Sequence, residues 1–343
     1  MAPITHTPLR RPALLSVVAP VFNEQELIGA FVSRARAAVA DYDFELVLVN
    51  DGSTDGTAEL LDQIADEDWR VRVIHLSRNF GHQAALTAGL EHAAGDVVVM
   101  IDADLQDPPE LIGEMVSQWS HGADVVYAVR RQREGETAFK LATASFFYKL
   151  FDKLAQVDLE SNSGDFRLLD RRALDALLSM TERSRFLRGM TVWVGFNQTA
   201  VQYERDARHA GETKYTMSRM LRFSLDAIAS FSHVPLQLAT YAGILSAGVA
   251  FVAIPVVIIL RLLDSYLPGF GSITIAVLLL GGIQLIALGV IGEYVGRIFD
   301  EVKHRPLYIV REERNVRPDV TPEAGPVSPA RAGLTARAPE RVG

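Results

Sequence analysis

The chain has no cysteine, which excludes disulfides, thiolate metal sites and a cysteine nucleophile. It also lacks an excess of positive charge. With a net charge of −8, a broad basic surface of the kind that holds nucleic acid is not expected. The N-terminal stretch MAPITHTPLRRPALLS contains no apolar run long enough for a signal-peptide core, so the first domain is expected to stay on the side where it is made. Charge of either sign is missing from two stretches near the other end, 27 residues at 234–260 and 28 at 265–292. Each could cross about 30 Å of hydrocarbon as a helix. The link RLLDSYLPGFGS is short, so an antiparallel hairpin is expected. Arg219 and Arg222 precede it, and Arg297, Lys303, Arg305 and Arg311 follow. That bias is expected to put both ends in the cytoplasm, and a multi-pass protein of the inner (cytoplasmic) membrane is the expected location. Small residues in the spans leave room for a homo-oligomer.

What is present upstream is a rhythm. LLSVVAP, FELVLVN, RVRVIHLS and DVVVMID recur about every thirty residues, and helix-like stretches such as EQELIGAFVSRARAAVA and GHQAALTAGLEHAAG separate them. Such alternation indicates βαβ units and a mainly parallel sheet between helices, with ADVVYAV, DFRLLD and WVGFNQTAVQY as further strands. Ligands in such sheets bind at the carboxyl ends of strands. There the sequence places IDADLQDPPE (101–110), with Asp102, Asp104 and Asp107 directly after an apolar run. Crowded carboxylates raise one another's pKa unless a cation neutralises them. Oxygen ligands without His or Cys suit Mg²⁺ or Mn²⁺, which share their coordination with substrate phosphates.

VNDGSTDGT (49–57) ends another strand. Asp55 and Thr57 have a sufficient role as helix caps, whereas Asp51 is free to accept hydrogen bonds from a base or ribose. APVFNEQE adds Asn23 and Glu24 at the first strand's end. Two loops are basic. YERDARHAGETKY carries Arg205, Arg208 and Lys214, which suit a diphosphate clamp or an anionic-lipid contact. AVRRQREGET carries Arg130, Arg131 and Arg133, available to a second phosphate. Residues 216–233 read as an amphipathic helix at the membrane surface, and the tail beyond about Asn315, rich in Pro, Ala and Arg, as disordered.

These motifs, with GDFRLLD, RFLRG and EYVGRIFDEVKHRPLYIV, resemble the family 2 glycosyltransferases of GT-A fold. Within them they resemble the polyprenyl-phosphate branch that includes bactoprenol glucosyltransferases and dolichol-phosphate mannose synthase. The resemblance covers roughly 12–311. It implies a GT-A domain over 12–215, a juxtamembrane helix over 216–233, spans at 234–262 and 272–296 joined by an extracytoplasmic loop at 263–271, a juxtamembrane segment at 297–312, and tails at 1–11 and 313–343. It implies that Pro20, Asn23, Glu24 and Asp51 line the nucleotide site and that Asp102, Asp104 and Gln106 hold the metal and donor diphosphate. Asp165 would lie near the transferred sugar. Arg205, Arg208 and Lys214 would reach its phosphates, and Arg130 and Arg131 the acceptor phosphate.

The implied activity is inverting transfer of one sugar from a nucleotide sugar to polyprenyl phosphate, glucose from UDP-glucose in the first place and mannose from GDP-mannose in the second. No Gln-x-x-Arg-Trp segment of processive synthases occurs, which favours a single transfer. An acceptor hydroxyl on another lipid would instead need a base at Asp165. Outside enzymology stands an inactive nucleotide-sugar-binding membrane scaffold.

Overall fold

A computed structural model of the chain describes residues 10–130, 163–203, 234–262 and 270–316. Among the described residues, seven strands precede the long helices: β1 (Leu15–Val21), β2 (Phe44–Asn50), β3 (Val71–Leu76), β4 (Val97–Met100), β5 (Val125–Arg130), β6 (Ser163–Asp170) and β7 (Gln198–Tyr203). Six helices accompany them: α1 (Ile28–Ala38), α2 (Thr57–Glu67), α3 (His82–His92), α4 (Ile112–Ser120), α5 (Arg171–Leu178) and α6 (Leu187–Trp193). An eighth strand, β8 (Val310–Arg314), completes a sheet of order β7-β5-β6-β4-β1-β2-β3-β8.

The continuous apolar runs form strands because both sheet faces are covered; β1 to β4 are buried along their whole length, as parallel strands under two helical layers must be. Leu15, Val17, Ala19 and Val21 of β1 pack with Phe31 of α1, Leu61 of α2 and Met115 of α4. Val18 and Val49 face the opposite layer, with Leu86 and Leu90 of α3 and Leu174 of α5. Gly89 sets the distance there: a Cβ on it would stand 2.3 Å from Val18 Cγ1, so α3 can approach the sheet only with glycine at that position.

The sheet is mixed. β1–β2, β1–β4, β2–β3 and β5–β7 are parallel, whereas β4–β6, β5–β6 and β3–β8 are antiparallel. Antiparallel β6 positions the site, because its first residues lie level with the carboxyl end of β4. Two details depart from the sequence expectation. The segment WVGFNQTAVQY begins as the end of helix α6 and becomes strand only at Gln198. At the other end, β8 runs past residue 313, where the disordered tail was expected to begin. Asn315 Nδ2 fastens it to Ala65 O at 2.7 Å and Val71 O at 2.8 Å.

The long helices are α7 (Val234–Leu262) and α8 (Phe270–Val302), and they contact each other. Within α8, Leu279–Val302 is long and apolar enough to cross a membrane, and none of it is buried against the rest of the protein. The helix continues to Val302, past the expected end of the span at 296. Its last turns meet the sheet domain, where the Arg183 backbone N–H donates to Glu301 Oε1 at 2.8 Å.

Candidate active site

The carboxyl ends of β1, β2 and β4 converge on a cavity of about 300 Å³ lined by Pro20, Glu24, Asp51, His82, Asp102 and Asp104, among others. Five of these six are residues that the sequence singles out. Gly52 brings the β2 end against the loop after β3: its φ is +67°, and a Cβ there would lie 2.5 Å from the Arg78 carbonyl carbon. Only glycine meets both conditions. Leu105, in the loop after β4, also adopts a positive φ, 58°, and burial of its side chain holds this disfavoured conformation beside Asp104.

The electrostatics are one-sided. Asp102 Oδ1 is buried and accepts no hydrogen bond among the described residues, although His82 Nε2 lies 3.4 Å away. Burial first, and then Asp165, Asp104 and Asp107 against the opposing His82, push Asp102 up to about 6. Glu24 is raised by burial and by the charges of Asp104, Asp55 and Asp102. Asp165, at the start of β6, is the counterpart. Gln83 Nε2 donates to its Oδ2 at 3.3 Å and Arg188 Nε to its Oδ1 at 3.3 Å, while His82 Nε2 stands 3.5 Å off. Burial would raise its pKa, yet His82 and Arg188 together hold it well below the usual carboxylate range. Two neighbouring carboxylates are thus driven in opposite directions, a common arrangement where two acids have different tasks.

The family model described as "Glycosyl transferase family 2" matches residues 16–178. An uncharacterized glycosyltransferase, YkcC, of Bacillus subtilis (strain 168) is 49% identical over 88% of this chain and 94% of its own length. The bactoprenol glucosyl transferase of Shigella phage SfV is 41% identical over 88% and 99%. The chain belongs to glycosyltransferase family 2. Among solved structures, glucosyl-3-phosphoglycerate synthase from Mycobacterium tuberculosis in complex with Mn²⁺ and uridine-diphosphate-glucose is similar at TM-score 0.41 and 23% identity, covering 63% of this chain and 77% of that one.

In this glycosyltransferase of GT-A fold the expected site residues divide into groups. Pro20, Glu24, Asp51, Asp102 and Asp104 line the cavity. Asp51 is not free, since its two oxygens accept the backbone N–H groups of Phe80 at 2.7 Å and Gly81 at 3.0 Å. Asn23 serves the loops instead of lining the cavity: its Oδ1 accepts from Thr54 N at 2.8 Å, and its own N–H donates to Ser53 Oγ. Gln106 is buried outside the cavity lining, with its backbone N–H on Asp104 Oδ1 at 3.1 Å. Arg130 is engaged by Tyr203 OH at 2.9 Å and Asp107 Oδ1 at 3.5 Å. Arg131, Arg205, Arg208, Lys214 and the helix expected at 216–233 lie outside the described residues.

Sequence reasoning missed His82, Gln83 and Arg188. The first two look like ordinary helix-start residues, although their place just after the third strand's end was the available signal. Gln83 Oε1 also accepts Leu187 N–H at 3.0 Å, so one side chain ties α3, α6 and Asp165 together. Among the described residues no three His, Asp or Glu side chains form a ready-made cation cage. Asp102 and Asp104 do fit a divalent cation whose remaining ligands come from substrate: Asp102 Oδ1 is buried without a hydrogen bond among the described residues, and the charge of Asp104 acts on it.

Proposed function

We propose that this glycosyltransferase moves one sugar, glucose from UDP-glucose, onto the phosphate of a polyprenyl lipid, with inversion at the anomeric carbon. It would act at the cytoplasmic face of the inner membrane, held there by a hairpin of α7 and α8 with both chain ends cytoplasmic. The lipid-linked sugar would then serve modification of cell-envelope glycans. The phage relative's name, bactoprenol glucosyl transferase, supports both the sugar and the lipid. One observation on this chain carries the choice of acceptor: Asp165 is saturated by Gln83 and Arg188 with His82 beside it. A carboxylate so stabilised is a poor proton acceptor. A hydroxyl acceptor needs a base, whereas a phosphomonoester with a second pKa near 6 is already largely ionised at neutral pH.

An oxygen of the lipid phosphate forms the new bond to the anomeric carbon as the bond to the donor diphosphate breaks. The nucleoside diphosphate departs with the electron pair, and no proton has to be removed. Asp165, kept ionised, stabilises positive charge developing on the sugar. Pro20 and Asp51 border the nucleotide, with Arg205, Arg208 and Lys214 proposed for its phosphates. Asp102 and Asp104 are the residues that would hold Mg²⁺ or Mn²⁺, which supplies charge neutralisation at the leaving diphosphate. The hairpin serves acceptor access, because drawing a polyprenyl chain out of lipid costs about 0.8 kcal/mol per CH₂.

The test supplies the full chain, reconstituted in vesicles, with labelled UDP-glucose or GDP-mannose and either undecaprenyl phosphate or diacylglycerol. Label is expected in the prenyl phosphate, most rapidly from UDP-glucose. Preferential labelling of diacylglycerol would overturn the acceptor, and preference for GDP-mannose the sugar.

A further inference from the structure

A second cavity, of about 780 Å³, opens on the other side of His82. Four arginines line it: Arg78 after β3, Arg183 and Arg185 before α6, and Arg305 after α8. No Asp or Glu is among its described lining residues. Elsewhere in the molecule Arg34, Arg72, Arg130, Arg172 and Arg188 each face a carboxylate. The four around this cavity form no ion pair among the described residues, although Arg78 is near enough to Asp51 to act on its carboxylate and Glu301 accepts the Arg183 backbone N–H. Arg78 lies over the Phe80 ring at 4.2 Å and donates to Asn79 O, and Arg183 donates to the carbonyl of Arg305. Arg185 is held by Met180 O at 2.6 Å and Glu182 O at 3.3 Å. Its third nitrogen, Nη1, is buried with no acceptor among the described residues. Guanidinium groups outside ion pairs around an opening, with a buried donor to spare, make a site for an anion rich in oxygen acceptors.

We propose that this cavity receives the phosphate of the lipid acceptor; the inference rests on the prenyl-phosphate reading and places the acceptor within it. Position is the first reason, since Gly81 and His82 line both cavities, so a phosphate here lies next to the donor site. Reach is the second. Arg305 and the apolar Pro306, Leu307 and Ile309 follow directly on the helix that ends at Val302, so a chain rooted in the bilayer enters beside them. Charge is the third: a phosphomonoester near two negative charges matches several guanidinium groups better than a singly charged diester headgroup does. Arg130, the acceptor-phosphate residue expected from the sequence, already answers Asp107.

The experiment compares wild type with Arg78→Gln, Arg305→Gln and the double variant, all as full chain in phosphatidylcholine vesicles. Two acceptors are used, a water-soluble ten-carbon prenyl phosphate and vesicle-borne undecaprenyl phosphate. Acceptor KM is expected to rise on the order of tenfold per arginine with both, while donor KM changes less than twofold, which also reports an intact fold. An unchanged KM for the soluble acceptor, with loss confined to vesicles and restored by phosphatidylglycerol, would assign the arginines to bilayer charge and overturn the proposal. A parallel rise in donor KM would overturn it too. Calorimetric binding of the ten-carbon phosphate separates the two levels. If wild type binds it, the double variant does not and neither transfers sugar to it, the site stands and the reaction falls.

Discussion

The two ends of one sheet treat a buried acid in opposite ways. At the amino end, Glu45 of β2 accepts from Ser16 Oγ at 2.6 Å, Ala94 N at 2.6 Å and Arg72 Nη1 at 3.1 Å, and Arg72 is itself buried. At the carboxyl end, Asp102 Oδ1 is buried with no donor among the described residues. Burying that oxygen without a hydrogen bond disfavours the ionised carboxylate, with only the His82 ring, 3.4 Å away, opposing it. The fold therefore satisfies its acids where they only connect strands, and leaves one unsatisfied where a ligand must complete the set.

Breaking the satisfied end should give the largest effect. Glu45→Ala strands Arg72 without its carboxylate, and about 3–5 kcal/mol of stability is expected to be lost, read by denaturant unfolding of the catalytic domain. Activity per folded molecule should be unchanged; a specific loss of turnover at constant stability would contradict the division between the two ends. The reverse change, Asp102→Asn, removes a charge that only His82, 3.4 Å away, offsets among the described residues, against the repulsion of Asp165, Asp104 and Asp107. Stability should hold or rise, while kcat falls on the order of 10²–10³-fold. Chelation of divalent ions should depress the wild type to a similar degree, with recovery on adding Mg²⁺ or Mn²⁺, and should change the variant far less.

This contrast also marks how far the sequence could be read. β1 to β4 were legible because buried parallel strands are continuous apolar runs, and Asp51, Asp102 and Asp104 because they end those runs. β8, with sequence VREER, offers no such signal. An edge strand covered on one side needs little apolar content, and its pairing with β3 is set by a chain returning from the far helices. Residue type likewise does not reveal direction. Asn23 and Asp51 share strand-end positions with Asp102, but Asn23 locks neighbouring loops and Asp51 binds the loop after β3. His82, Gln83 and Arg188 acquire meaning only when α3, α6 and β6 come together around Asp165.

That cluster supplies a finer test of which acid does what. Asp165→Asn keeps size and hydrogen bonding and removes charge, so kcat should fall about 10–100-fold with little change in donor KM. Because Asp165 is ionised far into acid, the pH–rate profile of the wild type between pH 5 and 8 should owe nothing to its titration. The variant's profile should therefore drop in height and keep an acid limb, displaced because Asp102 and His82 no longer feel the Asp165 charge that raises them. Loss of the acid limb in the variant would show that Asp165 takes a proton, and would favour a hydroxyl acceptor.

The smallest effect tests the satisfied acids again, at the cap of α5. Asp170 accepts from Trp119 Nε1 at 2.9 Å and from the Arg172 backbone N–H at 3.0 Å. Burial works to raise its pKa, but these donors and the Arg172 guanidinium overcome it and hold the carboxyl below its ordinary value. A depressed folded-state pKa means that the unfolded chain binds the proton first as pH falls. The stabilisation is therefore complete above the unfolded value of about 3.9, and it is lost as pH drops through the lower folded value. Asp170→Ala should cost about 1 kcal/mol at neutral pH, and the difference from wild type should shrink below pH 4. Melting curves from pH 3 to 7 measure it, and a difference that widened in acid would mean that the folded protein favours the protonated form.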